Sequence, residues 1–169
     1  MTAARQLGKG LLAILAGAVL QFGLAPRVGI SGARPDFLLL LVVAWALRRG
    51  MVSGLLMGAG AGFLEDAVLG QYLGVRTLAM AVAGVATGYA QRKVFGDQPL
   101  VPVTATLGAS LLCETLSWLW WRAAGVPLPF WRGLVQVVIP VSLYNGLLTP
   151  LLLGWWWRFR ANRGVTPGV

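Results

Sequence analysis

Apolar residues in this chain gather into long runs that charge interrupts only at intervals. Charge-free runs cover 10–26, 37–47, 50–64, 77–91, 98–113 (continuing past Glu114 to 121) and 133–157. A helix that crosses a bilayer needs about 20 mostly apolar residues. The pattern predicts an all-α polytopic membrane protein, a compact bundle of six transmembrane helices. The spans are expected at about 10–26, 36–48, 50–65, 76–91, 99–121 and 133–157, as one integral domain over residues 1–169.

Two of these runs need a decision. The first follows Arg5 and Lys9 as a signal peptide would, but it ends in Leu24-Ala25-Pro26-Arg27 with no small-x-small cleavage site. It reads as a retained helix. The second is closed after eleven residues by Arg48 and Arg49. A single helix over 37–64 would hold both arginines in mid-bilayer, at about 2.5–3.5 kcal/mol each. Gly50 follows them directly, where a helix C-terminus favours both cations and glycine. A tight turn is the better reading.

Basic residues then orient the chain. Six spans put Arg5, Lys9, Arg48, Arg49, Arg92, Lys93, Arg158, Arg160 and Arg163 on one side, against Arg27, Arg34, Arg76, Arg122 and Arg132 on the other. The richer side is the cytoplasmic one, so both termini are expected there. Trp118, Trp120, Trp121 and Trp131 flank the outer turn between spans five and six, and Trp155, Trp156 and Trp157 close span six. These are the positions of interfacial aromatic belts.

Composition narrows the function. Hydrophobic residues make up 57% of the chain and charged ones 11%, against about 25% charged in a soluble domain. Six spans take about 120 residues, which leaves no room for a second, soluble domain. There is no histidine and a single cysteine. That excludes histidine triads, HExxH zinc sites, disulfide frameworks and thiolate metal clusters, and no cofactor is expected. The net charge of +9 is spread as ones, twos and threes between apolar runs. A nucleic-acid surface would collect it on one solvated face, so no nucleic-acid partner is expected. The arginines of the tail suit anionic membrane lipids or an acidic cytoplasmic partner.

Several positions stand out as candidates. Gly50, Gly54, Gly58 and Gly62 recur every four residues, and Gly84 and Gly88 repeat the device in span four. Glycines at this spacing give a helix face without side chains, which a neighbouring backbone can approach closely. That face serves either internal packing of spans three and four or docking of another protein's transmembrane helix. Arg34-Pro35-Asp36 opens span two, with proline and a carboxylate where a helix N-terminus wants them.

Glu65 and Asp66 close span three at the negative end of its dipole, so they are expected to pair with Arg27, Arg34 or Arg76 on the outer face. Glu114 is the one acid inside a span and an intramembrane functional candidate. With Gln136 and Asn145 it is expected to line a polar seam between spans five and six. Cys113 reads as a small buried hydrophobe.

In order along the chain stand Arg34-Pro35-Asp36-Phe37-Leu38-Leu39-Leu40-Leu41, then Ala46-Leu47-Arg48-Arg49-Gly50. The Gly54, Gly58 and Gly62 run follows, with Phe63 and Asp66, then Gly70, Leu73-Gly74, Gly84 and Gly88. This ordered combination resembles the rod shape-determining protein MreD family, most closely over 34–90, about a third of the chain. The resemblance implies a bacterial inner-membrane protein of the elongasome, a non-enzymatic scaffold that binds MreC. Such a scaffold links MreB to a SEDS-type peptidoglycan glycosyltransferase and a class B penicillin-binding transpeptidase. The alternative is the substrate-binding membrane subunit of an energy-coupling-factor vitamin transporter, with an outer cavity near Glu114, Gln136 and Arg76.

Overall fold

In a computed structural model of the chain, residues 3–29, 33–70, 74–93, 101–126 and 130–161 are described, and every regular element among them is helical. Leu73 and Arg163 lie outside the described residues, as do the side chains of Arg5, Arg92, Lys93, Arg132, Trp155, Trp156, Trp157, Arg158 and Arg160. The elements are α1 (Ala3–Gly23), α2 (Phe37–Arg49), α3 (Met51–Leu69), α4 (Val75–Lys93) and α5 (Val101–Ala123). A short α6 (Phe130–Gly133), a π turn (Leu134–Val138) and α7 (Ile139–Ala161) follow one another without a break.

Helix α2 is the hub. Leu38, Leu39, Val42, Val43 and Ala46 have no exposed surface, because α1, α3, α4 and α5 all pack against it. Its 13 residues span only about 20 Å at 1.5 Å per residue, and both ends are fixed chemically. At the start, Asp36 Oδ1 accepts from the Leu39 amide at 2.9 Å, an N-cap. At the finish, the Gly50 amide donates to the Ala46 carbonyl at 2.8 Å, while the Gly50 carbonyl accepts from the Gly54 amide at 3.0 Å. Gly50 has φ 83°, a conformation that favours glycine. The chain therefore turns at Gly50, directly after Arg48 and Arg49.

Helices α3 and α4 form an antiparallel hairpin whose register follows from the glycine repeat. A methyl group on Gly54 would meet the Gly84 carbonyl, one on Gly58 the Met80 carbonyl and one on Gly62 the Arg76 carbonyl. One on Gly88 would meet Gly50 C and Met51 Cα, each at 2.6 Å. Each four-residue step up α3 is thus answered by a four-residue step down α4. Backbone lies directly on backbone, the contact that small-residue faces permit.

Membrane character shows on the outside of the bundle. Leu12, Val19, Leu56, Leu147 and Leu151 are 63% to 72% exposed, large apolar side chains turned outward on α1, α3 and α7. Helix α3 and the segment Leu134–Leu151 are long and apolar enough to cross a membrane, and Gly8–Gly23 is a shorter apolar helix. The last helical stretch differs from the plain helix expected at 133–157. At the π turn the Ile139 amide donates to the Leu134 carbonyl, five residues back. Pro140 follows directly, and it has no N–H for the carbonyl four residues behind it, so the wider turn absorbs the mismatch.

Candidate functional site

At one end of the bundle, four helices bring their charged residues to a single point. Asp36 sits at the N-terminus of α2, Glu65 and Asp66 in the last turn and a half of α3, Arg76 in the first turn of α4, and Glu114 in the second half of α5. The Arg76 guanidinium holds three carboxylates at once. Nε donates to Glu65 Oε2 at 3.2 Å, Nη1 to Glu114 Oε1 at 2.9 Å, and Nη2 to Asp36 Oδ2. Planar guanidinium geometry suits such a fork, because its donors point in fixed and separate directions. The glycine face sets the height of this arginine: Gly62 lets the Arg76 backbone settle onto α3, three residues before Glu65.

Asp66 has a different task. Its Oδ1 accepts from the Arg76 amide at 3.1 Å, and its Oδ2 from the amides of Gly74 at 2.9 Å and Thr77 at 3.0 Å. The Thr77 hydroxyl adds a bond at 2.7 Å. The last turn of α3 thereby caps the first turn of α4, satisfying amides that a helix N-terminus leaves without partners. Replacing such a cap costs about 0.5–2 kcal/mol, and several bonds depend on this one. Asp66→Ala is expected to cost about 2 kcal/mol and Asp66→Asn roughly half, because the amide oxygen still accepts. Thermal unfolding of the purified protein in mild detergent measures both; an unchanged melting temperature in Asp66→Ala would remove the capping role.

A second layer fixes α7 to the cluster. Asn145 is fully buried; its Oδ1 accepts from the Asp36 amide at 2.9 Å and its Nδ2 donates to Ser110 Oγ at 3.0 Å. Gln21 of α1 accepts from the Phe37 amide at 2.8 Å through Oε1. The Arg76 Nη1 also lies 3.7 Å from the sulfur of Cys113, which is buried. A cavity of about 290 Å³ opens beside the cluster.

The structure brings Asp36, Asp66, Glu114 and Asn145 into one connected site, and it separates the remaining polar candidates. Gln136 is exposed, so the expected Glu114–Gln136–Asn145 seam does not form. Gln136 and Asn145 are nine positions apart, about two and a half α-helical turns, which sets them on opposite faces of a regular helix. Arg48 is exposed at the far end of α2, where its neighbour Arg49 stacks over Trp45 with 4.3 Å to the ring centroid.

Of the three outer arginines, only Arg76 takes the carboxylates; Arg27 and Arg34 are exposed, and Arg34 lies on the cavity wall. Asp66 is satisfied by backbone amides rather than by a cation. Gly50, Gly54, Gly58, Gly62, Gly84 and Gly88 all lie in the α3–α4 seam, so a helix from another chain reaches that face only by displacing α4.

Sequence reading overlooked the particular weight of Arg76 and the parts played by Gln21 and Ser110. A signal for Arg76 was present. A cation in the first helical turn opposes the helix dipole, so it needs carboxylates close by. Gln21 is likewise a polar residue within an apolar run. Ser110 carries no comparable mark. Among the described residues, no group of three or more His, Cys, Asp or Glu is arranged to hold a metal ion. The cluster binds helices together by charge.

Comparison with known proteins adds one finding. The family model described as rod shape-determining protein MreD matches residues 4–159. No curated protein and no solved structure matches the chain.

Proposed function

Because this chain belongs to the rod shape-determining protein MreD family, a family of membrane proteins that determine cell shape, we propose that it is a non-enzymatic scaffold of the bacterial elongasome. It spans the inner membrane six times with both termini in the cytoplasm. It binds MreC and helps organise a SEDS-type glycosyltransferase and a class B penicillin-binding transpeptidase, with MreB as a further partner. The family match over 4–159 carries this reading. The outward apolar faces of α1, α3 and α7 support it, since partner helices and lipid compete for such faces within a membrane.

The partner's helix meets an outward face rather than the glycine stripe, which α4 already covers. Affinity purification of the tagged protein in mild detergent, with identification of what accompanies it, tests the proposal. MreC and the wall synthases are the expected companions.

The cavity beside Arg76 favours one second reading, the substrate-binding subunit of an energy-coupling-factor vitamin transporter, because charged and polar groups converge on it. Under that reading an ATPase module co-purifies and the wall-synthesis proteins do not. The family match ranks it behind the scaffold.

A further inference from the structure

Charge divides the two ends of the bundle. The described carboxylates Asp36, Glu65, Asp66 and Glu114 all stand at the Arg76 end, and Asp97 lies outside the described residues. At the opposite end Lys9, Arg48 and Arg49 are exposed. The contact of α1 with α2 draws these cations together. A methyl group on Gly10, next to Lys9, would lie 3.8 Å from Cζ2 of Trp45. Arg49 stacks over the same indole with 4.3 Å to the ring centroid. Lys9 of one helix and Arg49 of the next are thus brought to a single tryptophan, with Arg48 beside them.

Toward the middle of α1 the surface turns apolar. Lys9, Leu12, Ala16 and Val19 follow one another at steps of three, four and three, which aligns them on one helix face. All four are exposed, Leu12 at 70% and Val19 at 72%. An outward apolar stripe alone suits a lipid chain or a foreign helix equally. The cations at its end decide between them, because tryptophan, arginine and lysine together mark the membrane–water interface. A phospholipid divides its chemistry in the same way, with phosphate at that level and apolar chains running inward.

We infer that this end of the bundle binds an anionic phospholipid, its phosphate on Lys9, Arg48 and Arg49 and an acyl chain along Leu12, Ala16 and Val19. Guanidinium groups match phosphate oxygens in a fork, and the lysine adds a point charge. A zwitterionic lipid carries its own cation beside the phosphate, so it answers this surface poorly. The site rests on membrane insertion of the chain and does not depend on the scaffold reading.

Thermal unfolding of the purified full-length protein in nonionic detergent tests it, with phosphatidylglycerol or phosphatidylcholine added. Phosphatidylglycerol is expected to raise the melting temperature saturably, and phosphatidylcholine to do so at least about tenfold more weakly. Lys9→Gln and Arg49→Gln should each weaken the apparent affinity about fivefold, and the pair about thirtyfold. Both side chains are exposed, so the unliganded melting temperature should stay near that of wild type.

Arg27→Gln removes an exposed cation from the opposite end and should leave the affinity unchanged. Equal protection by phosphatidylcholine, or unchanged affinity in the paired variant, would overturn the assignment. A loss in Arg27→Gln as large as in Arg49→Gln would also overturn it, since net charge alone would then account for the binding. Protection by soluble polyglutamate with none by phosphatidylglycerol would give the patch to an acidic protein segment instead.

Discussion

Arg76→Ala is expected to be among the most damaging single substitutions in this protein. Among the described residues, the guanidinium is the only group that forms ion pairs with Asp36, Glu65 and Glu114, and those residues come from three different helices. Its loss leaves three carboxylates close together without the cation that pairs with them. Breaking one buried ion pair by removing a partner costs about 3–5 kcal/mol, because the remaining charge is buried and uncompensated. Against a typical total stability of about 5–15 kcal/mol, that is a large fraction. For a chain of this length it corresponds to a fall in melting temperature on the order of 10 °C.

Arg76→Lys should fall between wild type and Arg76→Ala. It keeps the charge, but a compact ammonium cannot reproduce a fork reaching three directions. Glu114→Gln should be milder still, since Arg76 keeps two carboxylates. The order of the three, read by thermal unfolding and by the monodisperse fraction after detergent extraction, is the diagnostic result. Wild-type stability in Arg76→Ala would show that the cluster does not hold the bundle together.

Local chemistry made part of this design legible in the sequence. The break at Gly50 follows from the cost of two buried arginines, and the Asp36 cap follows from a carboxylate at a helix start. Both depend on neighbours a few residues away. The partners of Arg76 lie 11, 38 and 40 positions distant, and no local pattern specifies which arginine of three will turn inward. The pairing of α3 with α4 was written in the glycine spacing, yet the same spacing suits a foreign helix equally well. The short stretch of chain from Leu69 to Val75 decides it, because it keeps α4 within reach of α3.

The error at Gln136 was of another kind. Depth in the membrane groups it with Asn145, whereas angular position on the helix decides which residues face one another.

Gly58→Leu is expected to match Arg76→Ala in severity through a different mechanism. An added Cβ would lie 2.6 Å from the Met80 carbonyl carbon and 2.9 Å from Ala81 Cα. Both are backbone atoms of α4 and cannot rotate away. The two helices must separate, and the separation spreads along the seam to Gly54 and Gly62. Overpacking in a close-packed interior costs about 1–3 kcal/mol when side chains can adjust, and here the obstacle is main chain, so the loss should exceed that range.

Gly60→Ala on the same helix supplies the control. Its Cβ meets only the terminal carbon of Ile14 at 3.0 Å, and alanine gains about 1 kcal/mol over glycine in a helix interior. Gly60→Ala should therefore be neutral or stabilising, while Gly58→Ala already destabilises. The seam also decides how partner loss in Gly54→Leu or Gly58→Leu must be interpreted. If α4 occupies this face, the proposed MreC partner is lost together with the protein's own cooperative unfolding. A variant that unfolds like wild type yet no longer retains its partner would instead mean that the stripe faces another chain, and the register of α3 against α4 would fall with it.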